Sequence, residues 1–231
     1  MIDILLGDGS LAYKVLDLLQ HLIIIVIALT FHEVAHGWVA KKLGDNTAEM
    51  YGRLSLNPIK HIDPFGFLMM LLVGFGWAKP VPIRAGKFKN PKLGMALSAL
   101  AGPVTNLLLA VFGILLMEIF AVVAVSNTGF IFFMDPKFEY NILMVAIKFF
   151  SYFAIINVSL AIFNFLPVPP LDGSRVLYSI LPDKLYFGVM KYEQAISGIL
   201  MVLLIVGVLD GPLNFLVGAV LSGIEFIIPI M

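Results

Sequence analysis

The chain of 231 residues contains no cysteine. Disulfides, thiolate nucleophiles and cysteine-ligated metals are excluded with it, so any metal must be held by histidine and carboxylate. Charge is also scarce: Asp, Glu, Lys and Arg make up 13% of the residues, about half the proportion of a soluble domain. The 15 basic and 15 acidic residues cancel, and the basic ones are too dispersed to line a nucleic-acid groove, so no nucleic-acid partner is expected. Repeats, low-complexity tracts and polar linkers are missing too. A single membrane-embedded domain over residues 1–231 is the expected organisation. The first apolar stretch follows Asp3, Asp8 and Lys14, with no basic leader or obvious cleavage site. It reads as a retained membrane helix and not as a removed signal peptide.

What the chain has in abundance is apolar length. Hydrophobic residues account for 60% of it, the composition of an integral membrane protein in a lipid bilayer. Spans are expected at about 18–40, 95–125 and 142–165, the second interrupted by Gly102-Pro103. Two more apolar segments, about 187–209 and 212–230, flank Asp210-Gly211-Pro212, a turn that predicts a C-terminal helical hairpin. The stretch 65–78 is apolar but short, carries Gly66, Gly74 and Gly76, and stops at Pro80. It is expected to form a re-entrant or β-hairpin segment between the first and second helices. The fold class is therefore all-α and polytopic.

Basic residues set the orientation. Between Lys41 and Gly94 stand nine (Lys41, Lys42, Arg53, Lys60, Lys79, Arg84, Lys87, Lys89, Lys92) against three acids. Arg175, Lys184 and Lys191 follow the third span, whereas the opposite side holds Lys14 and Lys137. By the positive-inside tendency, residues 41–94 and 166–192 face the cytoplasm of a multi-pass protein of the cell membrane.

Inside the first apolar segment lies His32-Glu33-Val34-Ala35-His36. On a helix, His32 and His36 share one face a turn apart, the spacing at which two imidazoles grip one zinc ion. Glu33 projects about 100° away, able to reach a metal-bound water without being a ligand. Ionisable groups are costly in hydrocarbon, so three within one turn call for a function. A polar network between helices is the plainer alternative. His21 lies on nearly the same face but about 16 Å away by helical rise, too far for the same ion, and reads as a packing histidine. His61, beside Asp63-Pro64, reads as a loop-ordering residue.

A catalytic zinc site usually takes three protein ligands. The candidate third is Asp172, in Asn164-Phe165-Leu166-Pro167-Val168-Pro169-Pro170-Leu171-Asp172-Gly173. The prolines must end the third span near Phe165 and deliver Asp172 on an extended segment, with Gly173 allowing a sharp turn. If 65–78 does not cross the membrane, Asp172 arrives at the same face as the histidines, near its cytoplasmic side. A solvated turn aspartate is the alternative.

The combination of motifs resembles the site-2 protease family of intramembrane zinc metalloproteases, in the compact prokaryotic form without PDZ or CBS modules. The resemblance rests on His32 to His36, on Asn164 to Gly173, and on Gly52-Arg53-Leu54-Ser55-Leu56-Asn57-Pro58. It extends to His61-Ile62-Asp63-Pro64, to Gly76-Trp77-Ala78-Lys79-Pro80-Val81-Pro82 and to Ala101-Gly102-Pro103-Val104-Thr105-Asn106. It implies an endopeptidase acting on transmembrane protein substrates in regulated intramembrane proteolysis, with one Zn2+ held by His32, His36 and Asp172 and Glu33 as catalytic base. Asn164 is then the candidate oxyanion donor or substrate-backbone contact, with Asn106 the weaker one; each has a plain structural alternative, as a helix cap and a packing residue. A metal-ion or proton transporter using the same His/Glu/Asp cluster is the competing function. The polar path that it needs toward the far face is sparse. Oligomeric state is left open.

Overall fold

A computed structural model describes residues 11–73, 76–128 and 142–227. Asp3, Asp8, Gly74, Lys137 and the side chain of Lys184, which enter the readings above, lie outside the described residues. Helix α1 spans Leu11–Lys42, α2 Thr47–Met50, α3 Pro64–Val73, α4 Pro91–Thr128 and α5 Ile142–Phe165. Then come α6 (Asp172–Ile180), α7 (Asp183–Met190), α8 (Glu193–Ile205) and α9 (Asp210–Ile227). Three of these, α1, α4 and α5, are long and apolar enough to cross a membrane. The all-helical fold with three spans agrees with the sequence.

Helix α4 lies between α1 and α5 and also carries α6. Its interfaces use small residues, since lipid gives no hydrophobic drive for helices to associate and close backbone approach must supply it. Ala28, Ala110, Ala154 and Ala161 are buried, and a Cβ on Gly113 would stand 2.9 Å from the Phe153 ring. Pro103 sits inside α4 without breaking it, so Gly102-Pro103 interrupts the apolar run and not the helix. Beyond this core, Leu213, Val217 and Leu221 of α9 pack on Ala110, Val158 and Ile162.

The C-terminal hairpin is not formed. Helices α8 and α9 meet at 83°, a corner and not an antiparallel pair. The turn is made by Gly207, whose positive φ of 77° ends α8 with paired bonds, Gly207 N–H to Leu204 O (3.0 Å) and Val208 N–H to Leu203 O (3.1 Å). Asp210-Gly211-Pro212 instead opens α9, where a proline's missing N–H costs nothing. The β-hairpin expected at 65–78 is also absent. Its interior is the ten-residue helix α3, and the described residues there hold one isolated antiparallel bridge, Ile62 to Ala78. That bridge ties the two ends of the segment together. A Cβ on Gly66 would fall 2.1 Å from the Trp77 carbonyl, so α3 can lie against the returning chain only through glycine.

Helix α1 ends on Lys41 and Lys42, which complement the helix dipole. Gly44, with φ 111°, closes it through Gly44 N–H to Lys41 O and Asp45 N–H to Ala40 O. Asp45 is fully buried and knots the loops that follow. Its carboxylate accepts the Arg84 N–H (2.6 Å), the Thr47 N–H (3.0 Å) and the Thr47 hydroxyl. Lys87 stands 3.7 Å away. Burial alone would raise this carboxyl, but those donors and the ammonium hold it below the usual range.

A group depressed in the fold stabilises it above the ordinary carboxylate pKa, and that stability is lost as pH falls through the folded value. Thermal melts of purified protein should therefore show Asp45→Asn costing about 1–3 kcal/mol at neutral pH. The same variant should flatten the fall in melting temperature below about pH 4. An acid limb identical to the parent's would contradict the assignment.

Candidate active site

Helix α1 carries the histidines because its apolar length holds them in regular helix, one turn apart. His32, Glu33 and His36 are 5%, 9% and 7% exposed, so each polar atom needs a partner. The imidazoles are edge-to-face, with ring centres 4.5 Å apart. At its Nδ1, His32 donates to Asn106 Oδ1 (2.6 Å) and His36 to the Ser98 carbonyl (2.7 Å), both on α4. Carbonyl oxygens can only accept, so both Nδ1 atoms carry a proton, and in the neutral imidazole Nε2 is then the atom with a lone pair for a metal.

Those lone pairs face Asp172. The α5 helix stops at Phe165, the proline segment turns the chain, and Asp172 opens α6. Gly173 does not act as a positive-φ turn. Its Cβ would collide with the Phe165 carbonyl at 2.2 Å, so glycine is what lets α6 start against the end of α5. Asp172 Oδ2 lies 3.0 Å from His32 Nε2 and 3.2 Å from His36 Nε2, and the ligating atoms of the three residues all fall within 4.8 Å of one another. The same Oδ2 is buried without a hydrogen-bond donor. With the imidazoles neutral, three electron-pair donors converge there, an arrangement suited to a cation. The donor set, two imidazoles and a carboxylate, fits zinc.

Glu33 leaves the histidine face as the helical geometry requires. Its Oε2 accepts the Val81 backbone N–H at 2.8 Å. Asn106 is drawn to the site but not as an oxyanion donor. Its oxygen takes the His32 proton, and its amide donates to Asn157 Oδ1 (2.8 Å) and toward Ala28 O (3.4 Å). The Asn157 amide continues to Phe153 O (2.8 Å). Asn106 therefore orients His32, because none of its hydrogens is left for a reacting carbonyl. Asn164 sits on the last turn of α5 and donates to Leu160 O (3.0 Å).

The remaining histidines stand apart. His21 donates to Asp17 O (2.8 Å) and lies against Tyr152. His61 is buried and contacts Ser55 O through Nε2 (2.7 Å).

Three contributors escape sequence reasoning. Ser98 acts through its carbonyl, which any residue has. Val81 acts through an N–H, marked only by the prolines on either side. Gly102 carries no side chain to mark a role, yet its Cβ would lie 2.5 Å from Cε1 of both His32 and His36. Its missing side chain is the space the imidazoles occupy.

A helical bundle with a buried two-histidine, one-carboxylate cluster and an adjacent glutamate defines a membrane-embedded metallopeptidase. The chain belongs to peptidase family M50, whose model matches residues 20–207. It is 42% identical over 176 residues to a Bacillus subtilis protein named "Putative zinc metalloprotease YwhC", covering 74% of this chain and 73% of that one. Similarly named proteins are MJ0611 of Methanocaldococcus jannaschii, 30% identical over 71% of this chain and 72% of its own, and Rip2 of Mycolicibacterium smegmatis, 28% identical over 77% and 67%. No solved structure matches the chain. The protein is an intramembrane zinc metalloprotease, as the site-2 protease resemblance implies, and the transporter alternative is without support.

Gly102→Ala should displace both imidazoles. Metal analysis of the purified variant is expected to find well under half the zinc of the parent, with the helical circular dichroism unchanged. Full zinc occupancy would mean that the Gly102 contact does not constrain the site.

Proposed function

We propose that this protease is a single membrane-embedded domain over residues 1–231 that hydrolyses peptide bonds within or near transmembrane helices of other membrane proteins, at the cytoplasmic side of the cell membrane. His32, His36 and Asp172 would hold the zinc ion, and Glu33 would be the general base. The observation that carries the reading is the convergence of both Nε2 atoms on Oδ2 of Asp172. When bound, zinc supplies Lewis acidity, bringing the pKa of a coordinated water to about 7.

The rest is done by the chain itself. With Oε2 engaged by Val81, the other Glu33 oxygen takes a proton from the attacking water and returns it to the leaving amine. Asn106 and Ser98 hold the imidazoles in the tautomer that keeps Nε2 free. Asn164, with one amide hydrogen given to Leu160 O, has a second for the oxyanion or for substrate backbone. Water reaches the site from the cytoplasm, where the nine basic residues of 41–94 lie.

A transmembrane helix must unwind locally before its carbonyl can be attacked, and the exposed backbone then needs partners. The re-entrant segment is assigned that task. The tie between Ile62 and Ala78 supports entry and exit at one membrane face. The extended chain that follows offers an edge to which an unwound substrate can bond.

Two variants test the reading on a panel of membrane-helix peptides. Glu33→Gln is expected to keep its zinc and lose cleavage by at least about 10²-fold. Asp172→Asn is expected to lose both. Cleavage retained by Glu33→Gln would remove it from the mechanism, and full zinc in Asp172→Asn would remove that ligand.

A further inference from the structure

The Glu33 carboxylate is not held by its own helix. Among the described residues its donor is the Val81 N–H at 2.8 Å, from a residue set between Pro80 and Pro82, which have no N–H to give. Where that one donor points depends on how the preceding chain is fixed. Two residues upstream, the Lys79 backbone is gripped on both sides. Its N–H donates to the His61 carbonyl (2.9 Å), and its own carbonyl accepts from the Arg53 guanidinium (2.7 Å).

The same stretch is seated sideways on α1. A Cβ on Gly37 would meet the Val81 side chain at 3.0 Å and Leu54 at 2.7 Å. Val81 and the neighbour of Arg53 thus share one notch, a helical turn beyond Glu33. The backbone N–H of Arg53 is itself tied to Ala48 O (2.8 Å), so the guanidinium reaches Lys79 from a fixed base.

We propose that Arg53 is a positioning residue of the protease, aiming the Glu33 carboxylate through the Lys79 backbone and the Val81 N–H. The inference rests on Glu33 being the general base. The contact is charge-assisted and thus stronger than a neutral one. Without it the proline-flanked stretch keeps one tether fewer, and the Val81 N–H holds Glu33 Oε2 for less of the time. The Ile62–Ala78 bridge and the Lys79 N–H to His61 O bond still hold the extended edge itself, so the loss falls on proton transfer and leaves zinc and substrate affinity in place.

Zinc-loaded parent, Glu33→Gln, Arg53→Met, Arg53→Lys, Val81→Pro and the Arg53→Met/Val81→Pro pair should be compared for zinc content, kcat and KM on one membrane-helix peptide. Arg53→Met is expected to keep its zinc and its KM within about twofold. Its kcat should fall on the order of tenfold, a part of the about 10²–10⁴ that a positioned base supplies. Arg53→Lys, which retains a charged donor, should recover most of the loss. In the Val81→Pro background Arg53→Met should cost nothing more, because the link is already cut. Additive losses in the pair, zinc loss in Arg53→Met, or a raised KM with kcat intact would overturn the inference while leaving Glu33 as the base. Undiminished cleavage by Glu33→Gln would overturn both.

Discussion

The structure depends on three lone pairs brought face to face where water is scarce. Two neutral imidazole nitrogens and a carboxylate oxygen, this close together, are satisfied jointly by a cation among them. A bilayer sharpens that need, because it offers no solvent in the cation's place. The bundle holds the donors in place from behind. Asn106 and Ser98 fix the imidazoles, Asn157 fixes Asn106, and Gly102 makes room for both rings. Zinc binding is thereby coupled to the packing of α1 against α4.

Glu33, the proposed base, belongs to a second, separate system. Its face of α1 looks toward the loops, where Gly37 admits Val81 and Leu54. One helix therefore serves two surfaces about 100° apart, one built from neighbouring membrane helices and the other from loop backbone. The proposed ligands and the proposed base are thus positioned by different neighbours. Asp45 joins the same loops to the end of α1.

Much of this was legible in the sequence because it resides in side-chain identity and spacing. The histidine pair, Glu33, the proline stop after Phe165 and the arrival of Asp172 all follow from periodicity and from what proline forbids. What escaped lies in the backbone. Ser98 contributes a carbonyl, Val81 an N–H, and Gly102, Gly66 and Gly173 contribute the absence of a Cβ. The C-terminal corner was misread because Asp-Gly-Pro suits a helix start as well as a turn, while Gly207, alone among apolar neighbours, gave the weaker cue. The β-hairpin alternative for 65–78 failed because glycine and apolar residues suggest a strand as readily as the short helix found there. For Asn106 the sequence left a catalytic and a packing role open, because composition cannot tell an amide that faces substrate from one that contacts His32.

The central claim concerns the ion's immediate neighbours, and zinc-edge X-ray absorption on the purified protein reads them directly. The account predicts nitrogen and oxygen donors at about 2.0–2.1 Å, with the outer-shell scattering of two imidazole rings and a spectrum altered by Asp172→Asn. A spectrum with fewer than two imidazoles, or one indifferent to loss of that carboxylate, would contradict it.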